Sequence, residues 1–280
     1  MSGFVNFNGS LLPADKYSIM AGNRAYLYGD GLFETIRVIN GKAINLDNHY
    51  MRLSEGMEAL QMKPPANYSA SFFEEQINEL VEQNNIEQGG RVRLSVDRKP
   101  GGNFLPNSSH VDYYIEAYHH DENRFVLNDR GYKIDLYDEI KKDISPLAKY
   151  KTKNALIYIM AKLSSQEKGV DDLLIQNYKM GIIEGGSSNL FVVSNGVLYT
   201  PGLDLGPLAG TMRMQIINIA LQNGIKVYEC NISPQNLLVA DEVFLTNAIQ
   251  GVIWVDSYRT KHYGKEMAKN LTSLLNDQWI

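Results

Sequence analysis

A mixed α/β (α+β) fold in two domains is what this sequence predicts, and three observations carry the prediction. Runs in which apolar and polar residues alternate recur between runs with helical spacing along the whole chain. Asn-Gly pairs at Asn8-Gly9, Asn40-Gly41 and Asn195-Gly196 mark tight hairpins in both halves, because this dipeptide accepts the positive φ angles such turns need. A polar stretch from His119 to Arg130 separates the strong elements. The expectation is an N-terminal domain over 1–118, a linker over 119–130 and a C-terminal domain over 131–280.

The elements follow in order. Asp47 is placed to cap a helix carrying His49, Arg52 and Leu60, and Ser71-Phe-Phe-Glu74 reads as a capping box opening a helix that runs to about Glu82. Val92, Leu94 and Val96 alternate with polar residues in a strand from Arg91 to Asp97, and Val111 to Tyr118 and Lys133 to Tyr137 read likewise. From Thr152 a further helix sets Leu156, Ile159, Met160 and Leu163 on one face before Gly169 ends it. After a strand over Asp172 to Gln176, a helix begins beyond Gly210 and stops at Gly224, and a last strand covers Glu242 to Thr246.

Composition narrows the function. The 280 residues are 44% hydrophobic and 21% charged, with a net charge of −5 and a pI near 5.6. Lys and Arg are dispersed among Asp and Glu, which provides no basic field for nucleic acid, so a small-molecule substrate is the expectation. The single cysteine, Cys230, excludes an intrachain disulfide framework and suits a cytoplasmic setting, and no Cys/His cluster has metal-site spacing, so no metal is expected. The N-terminus, Met1-Ser-Gly-Phe-Val-Asn-Phe-Asn, lacks a basic start followed by an apolar run, and no membrane segment is expected.

Three clusters can carry chemistry. Lys149-Tyr-Lys151-Thr-Lys153-Asn154 places three alternating lysines before a helix start, where the dipole disfavours positive charge. They read either as a solvated basic turn or as holding one inward-facing amine, nucleophilic toward an aldehyde, and the residues alone do not rank the three. Glu184-Gly-Gly-Ser187-Ser188-Asn189 is either a plain glycine turn or a place where a flat ring lies close to the backbone, with a carboxylate to keep a pyridine nitrogen protonated. Gly210-Thr211-Met212-Arg213 enters a helix whose first N–H groups suit a phosphate, and the fork of Arg52 matches phosphate oxygens.

In this order the clusters resemble the class IV aminotransferases, the fold-type IV group of pyridoxal-phosphate enzymes that includes branched-chain and D-amino-acid aminotransferases and 4-amino-4-deoxychorismate lyase. The resemblance starts at Asn23-Arg24-Ala-Tyr-Leu-Tyr28-Gly-Asp-Gly31-Leu-Phe33-Glu34, runs through His49-Tyr-Met-Arg52-Leu53, the three clusters and Ala240-Asp-Glu-Val-Phe-Leu-Thr246-Asn247, and spans nearly the whole chain.

It implies a two-domain, D-amino-acid-aminotransferase-like fold with mixed and antiparallel sheets and flanking helices. It also implies a homodimer and pyridoxal 5′-phosphate as cofactor. The family's spacing from lysine to asparagine implies Lys151 as the Schiff-base residue. Arg52 is implied for the phosphate, together with the backbone amides of Thr211 and Met212, and Glu184 for the pyridine nitrogen. Ser187, Ser188, Asn189, Gly210, Asn247 and Ala248 complete the implied cofactor contacts, and Tyr28, Phe33 and Arg98 fall at the implied substrate pocket.

The activity implied is amino transfer between a small amino acid, branched-chain ones included, and a 2-oxo acid. Pro100-Gly-Gly-Asn-Phe-Leu105 replaces the Arg-x-His pair of the D-amino-acid enzymes, and Ala155 and Ala248 depart from the branched-chain pattern. Gly210-Thr-Met-Arg213 and Thr246-Asn-Ala-Ile-Gln250 look more like the lyase, which releases pyruvate and 4-aminobenzoate.

Overall fold

The computed structural model describes residues 3–279, so Met1 and Ser2 of the N-terminus read above, and Ile280 at the end of the expected C-terminal domain, lie outside the described residues. The chain folds as two compact units, Met1–Arg124 with Tyr150–Asn154, and Phe125–Lys149 with Ala155–Ile280. The second unit therefore begins inside the polar stretch. Phe125 is buried there and exchanges backbone hydrogen bonds at 2.9 and 2.8 Å with the Asn276 side chain.

In the first unit, β1 (Phe4–Phe7), β2 (Ser10–Pro13), α1 (Arg24–Tyr28), β3 (Gly31–Ile39), β4 (Lys42–Ala43), α2 (Leu46–Ala59), α3 (Ala70–Gln83), β5 (Gly90–Arg98) and β6 (Val111–His119) follow one another. The strands form one antiparallel sheet in the order β2-β1-β6-β5-β3-β4. Alternation decides its two faces. Leu32, Ile36, Val92, Leu94 and Ile115 pack with Leu53 and Met57 of α2 and Phe73 and Ile77 of α3, while Phe33, Arg93, Asp97 and Tyr114 sit at the alternate positions. Each fully buried side chain of this core contributes about 1.5–3 kcal/mol.

In the second unit, β7 (Tyr132–Lys142), α4 (Leu156–Glu167), β8 (Asp172–Asn177), β9 (Ile182–Gly185), β10 (Asn189–Ser194), β11 (Val197–Pro201), α5 (Thr211–Gln222), β12 (Val227–Cys230), α6 (Pro234–Val239), β13 (Glu242–Asn247), β14 (Gly251–Tyr258), β15 (Lys261–His262) and α7 (Glu266–Asn276) build a mixed sheet. Its order is β12-β11-β10-β13-β14-β7-β8-β9, with β7 parallel to β8 and β14, and β11 parallel to β12. β9 also pairs with β10, Glu184 opposite Asn189, so the strands from β10 round to β9 close on themselves.

The Asn-Gly turns are as expected, with φ of 50° and 87° at Asn8-Gly9, 52° and 70° at Asn40-Gly41, and 51° and 73° at Asn195-Gly196. Three helix starts differ. The cap of α3 is Ser69, whose Oγ accepts from Phe72 N at 3.0 Å, while the Ser71 hydroxyl is paired with Ser69. α2 starts after Asn45 in the left-handed region with no side-chain cap, and Asp47 lies in the first turn.

α4 starts at Leu156, because Thr152 and its neighbours are drawn into a bridge with β3. Its expected apolar face exists but is the outer one: Leu156, Ile159, Met160 and Leu163 are 75%, 51%, 40% and 51% exposed, and Ala161, Ser164 and Ser165 face inward.

The cap assignment is testable by urea denaturation. Ser69→Ala is expected to destabilise the first unit by about 1 kcal/mol, and Ser71→Ala to leave it within about 0.5 kcal/mol of the parent.

Candidate functional site

The three lysines that the sequence leaves unranked fall in three different environments. Phe33 N donates to Lys151 O at 2.9 Å, Lys153 N donates to Gly31 O at 3.0 Å, and Thr152 bridges Leu32, so residues 150–154 lie antiparallel along the start of β3. Cross-strand neighbours then share a face. Lys153 stands beside Gly31, which has no side chain to block it, and its ammonium reaches the buried carboxylate of Asp97. A Cβ at Gly31 would lie 2.5 Å from Asp97 Oδ1, so the glycine is what permits this ion pair.

Lys151 stands beside Phe33, and its Nζ lies 4.5 Å from the ring centroid. The Arg93 guanidinium lies 3.9 Å from the same centroid, and burial lowers its pKa from the usual arginine value. Lys149 belongs to the second unit, where its carbonyl accepts from Ala209 N at 3.0 Å.

On the opposite face of β3, Glu34 occupies a position in the apolar pattern between Leu32 and Ile36 and is 1% exposed. A carboxylate so placed needs partners, and α2 supplies two, three residues apart on one face. Arg52 Nε donates to Glu34 Oε1 at 2.8 Å and its second nitrogen to Oε2, while His49 Nδ1 lies 2.7 Å from Oε2. Burial opposes ionisation of Glu34, but Arg52 and His49 overcome it and hold the carboxyl at about 2. Burial lowers the His49 pKa, and Arg52 and Lys151 lower it further against the pull of Glu34. A neutral imidazole with its proton on Nδ1 satisfies the contact.

In the second unit, Glu184 on β9 is 2% exposed and accepts three hydrogen bonds. Lys142 Nζ at 2.6 Å and Tyr158 Oη at 3.0 Å donate to Oε1, and Leu208 N donates to Oε2 at 2.8 Å. Burial, and then the adjacent Glu184, push the Tyr158 phenol well above the usual range.

The turn after Glu184 is braced by Asp172. Its carboxylate takes N–H groups from Leu173 at 2.9 Å and Gly186 at 3.1 Å, the Ser188 hydroxyl at 3.3 Å and the Lys162 ammonium at 2.9 Å. A Cβ at Gly185 would lie 2.6 Å from Ser188 Oγ, so the turn requires glycine, and Ser187 projects outward from it.

Opposite Glu184, Asn189 donates from Nδ2 to Leu208 O at 2.8 Å. Leu208 thus serves both side chains. Two residues on, Gly210 precedes α5 with no side-chain cap, and a Cβ there would lie 1.8 Å from Asn189 Oδ1. Thr211 and Met212 open the helix with buried side chains. Thr246 of β13 pairs with Asn189 of β10, and its buried Oγ1 has no hydrogen-bond partner among the described residues. Asn247 Oδ1 accepts from Ile249 N at 3.0 Å and Gln250 N at 2.8 Å, which shapes the tight turn holding Ala248.

Of the residues expected at a substrate pocket, Tyr28 is partly exposed, with the Arg24 guanidinium 5.0 Å and the Phe104 ring 5.7 Å from its ring. Arg98 is buried at the end of β5. Its Nε donates to Asp30 at 2.9 Å, its other nitrogens donate to the carbonyls of Leu60 at 2.5 Å and Gln61 at 3.3 Å, and it thereby caps the end of α2.

Sequence reasoning did not identify Lys142 or Tyr158, which nothing nearby in the chain connects to Glu184. It also left Glu34 without a role, although an acid between Leu32 and Ile36 in an apolar strand is itself a sign of a buried charge. Among the described residues, no group of three His, Cys, Asp or Glu side chains is arranged to hold a metal, and no helix is long and apolar enough to cross a membrane.

Known proteins are similar to this chain in sequence or in fold. D-alanine aminotransferase of Bacillus licheniformis is 28% identical over 285 residues, covering 98% of this chain and 96% of that protein. Aminodeoxychorismate lyase of Vibrio harveyi is 25% identical over 234 residues, covering 82% of this chain and 84% of that protein. The crystal structure of the branched-chain aminotransferase of Thermoproteus uzoniensis with norvaline superposes with a TM-score of 0.89 at 23% identity, covering 98% of this chain and 93% of that one, which shows the fold. The family model for amino-transferase class IV matches residues 31–258, most of the sequence and both units, and the chain therefore belongs to the class IV aminotransferase family.

Proposed function

We propose that this protein is a pyridoxal 5′-phosphate-dependent aminotransferase, moving the amino group between a small amino acid, branched-chain ones included, and a 2-oxo acid. The observation that carries the reading is the position of Lys151, which its backbone bond to Phe33 sets along β3 with Nζ 4.5 Å from the Phe33 ring centroid. When bound, the cofactor supplies an aldehyde that condenses with amines and a pyridine ring that withdraws electrons from the α-carbon.

Three features of the second unit fit such a group. Glu184 has an acceptor position left on Oε2 for a ring N–H. The start of α5 has no side-chain cap, and Gly210 lies where any side chain would collide with Asn189, which suits close approach of a phosphate to the amides of Thr211 and Met212. The Thr246 hydroxyl is buried without a hydrogen-bond partner among the described residues. Ser187, Ser188, Asn189, Asn247 and Ala248 are assigned to the same cofactor.

In the first unit, Lys151 is assigned the covalent attachment. Once released, its Nζ takes the α-proton and returns it, the general base and acid of the reaction. Arg52 is assigned to the phosphate, held in a fixed orientation by its two bonds to Glu34. Tyr28, Phe33 and Arg98 are assigned to the substrate pocket. A homodimer is part of the proposal, supported by the outward apolar face of α4, which a single chain leaves in water.

The second reading is 4-amino-4-deoxychorismate lyase, in which the same amine removes the proton and pyruvate leaves. The Gly210-Thr-Met-Arg213 and Thr246-Asn-Ala-Ile-Gln250 sequences and the relationship to the Vibrio harveyi lyase favour it.

Borohydride reduction of the loaded protein followed by peptide mass mapping is expected to find the phosphopyridoxyl group on Lys151; an adduct on Lys149 or Lys153 would refute the assignment. Lys151→Ala is expected to lower turnover by at least about 10²–10⁴-fold. Offered a panel of L- and D-amino acids, the loaded protein is expected to convert its cofactor to the aminated form with at least one; pyruvate release from aminodeoxychorismate with no such conversion would establish the lyase. Sedimentation equilibrium is expected to give twice the chain mass, and Leu156→Asp with Ile159→Asp to give the chain mass with the far-ultraviolet circular dichroism retained.

A further inference from the structure

The reaction proposed above makes no use of the cation beside Glu184. Lys142 ends β7 with its side chain 12% exposed, and its ammonium has three acceptors: Glu184 Oε1 at 2.6 Å, Tyr158 Oη at 2.8 Å and Ala148 O at 3.2 Å. Tyr158 donates in turn to the same Glu184 oxygen, so ammonium, phenol and carboxylate form a closed triangle. Leu208 N occupies one position on Oε2, and Lys142 is the one charged side chain bonded to Glu184 among the described residues.

A carboxylate facing a developing pyridinium stabilises it because the pair is neutral. Here the carboxylate already has a cation, in a buried setting where charges are weakly screened. A protonated ring would be the second positive charge against one negative charge. We infer that Lys142 competes with the pyridine nitrogen for the charge of Glu184, so that the ring is held less protonated than a lone carboxylate would hold it. The inference rests on the assignment of Glu184 to that nitrogen.

A residue that only props Glu184 in place would act in the opposite direction, since its loss would loosen the carboxylate and leave the ring less protonated. The sign therefore discriminates. Lys142 is a positioning and charge-setting residue in this account, and a ring that withdraws electrons less strongly leaves more of the proton transfer to the Lys151 amine.

The test is nitrogen-15 NMR of the protein loaded with ring-labelled pyridoxal 5′-phosphate, in which protonation moves the ring resonance upfield. In Lys142→Gln and Lys142→Met the pH midpoint of that protonation is expected to rise by about 1–3 pH units relative to the parent, the range by which one nearby charge moves such an equilibrium. Lys142→Arg, which keeps the charge, is expected to leave it in place. A midpoint that is unchanged or falls in both neutral variants overturns the inference, as does failure of both to load the cofactor while Lys142→Arg loads. If the parent protein itself takes up no cofactor, or if Glu184→Gln leaves the ring resonance where it was, the assignment of Glu184 to the ring nitrogen fails instead.

Discussion

A carboxylate withdrawn from water must be neutralised where it stands, and each unit of this protein is organised around one that is. In the first unit the buried acid is Glu34, and it determines what α2 has to present: a guanidinium and an imidazole three residues apart, both facing β3. In the second it is Glu184, whose partners come from the end of β7, from α4 and from the loop before α5. Removing one partner from such a cluster costs several kcal/mol, because the others keep a charge with no counterpart. The clusters therefore hold the surrounding elements in place as well as balancing charge.

Glycine has a complementary part. At Gly31 the missing side chain opens a path for Lys153 to Asp97, and at Gly210 and Gly185 it brings backbone up against Asn189 and Ser188. Polar contacts that would elsewhere need long side chains are made at backbone distance. Two nearly equivalent lysines on one short bridged segment acquire different neighbours for the same reason: one faces a glycine and the other a phenylalanine.

Features fixed by local geometry were legible in the sequence. The three Asn-Gly hairpins follow from the φ preferences of two residues, Gly169 and Gly224 stop helices because they accept the left-handed region, and Val92, Leu94 and Val96 alternate because one face of β5 is core. The helix starts were less legible, since Ser69 and Ser71 are equally good caps by composition and only the entry of the chain into α3 chooses between them. The grouping of Glu184, Asn189, Gly210 and Thr246 in the second unit was partly legible from the order of small residues, whereas Lys142 joins it only through the pairing of β7 with β8 and of β8 with β9. The place of residues 150–154 was not legible at all, because it depends on two backbone hydrogen bonds to strand residues more than a hundred positions earlier.

That short segment has a consequence for how the protein is made. The first unit is not a continuous stretch of chain: on the edge of β3, the Gly31 carbonyl and the Phe33 amide bond to Lys153 and Lys151. A chain emerging from the ribosome completes its first sheet up to β6 and must then wait, with that edge exposed, until a later piece of the polypeptide arrives. The residue proposed to bind the cofactor is carried on this late arrival, so capture of the cofactor reports that synthesis has passed that point and the edge has been sealed.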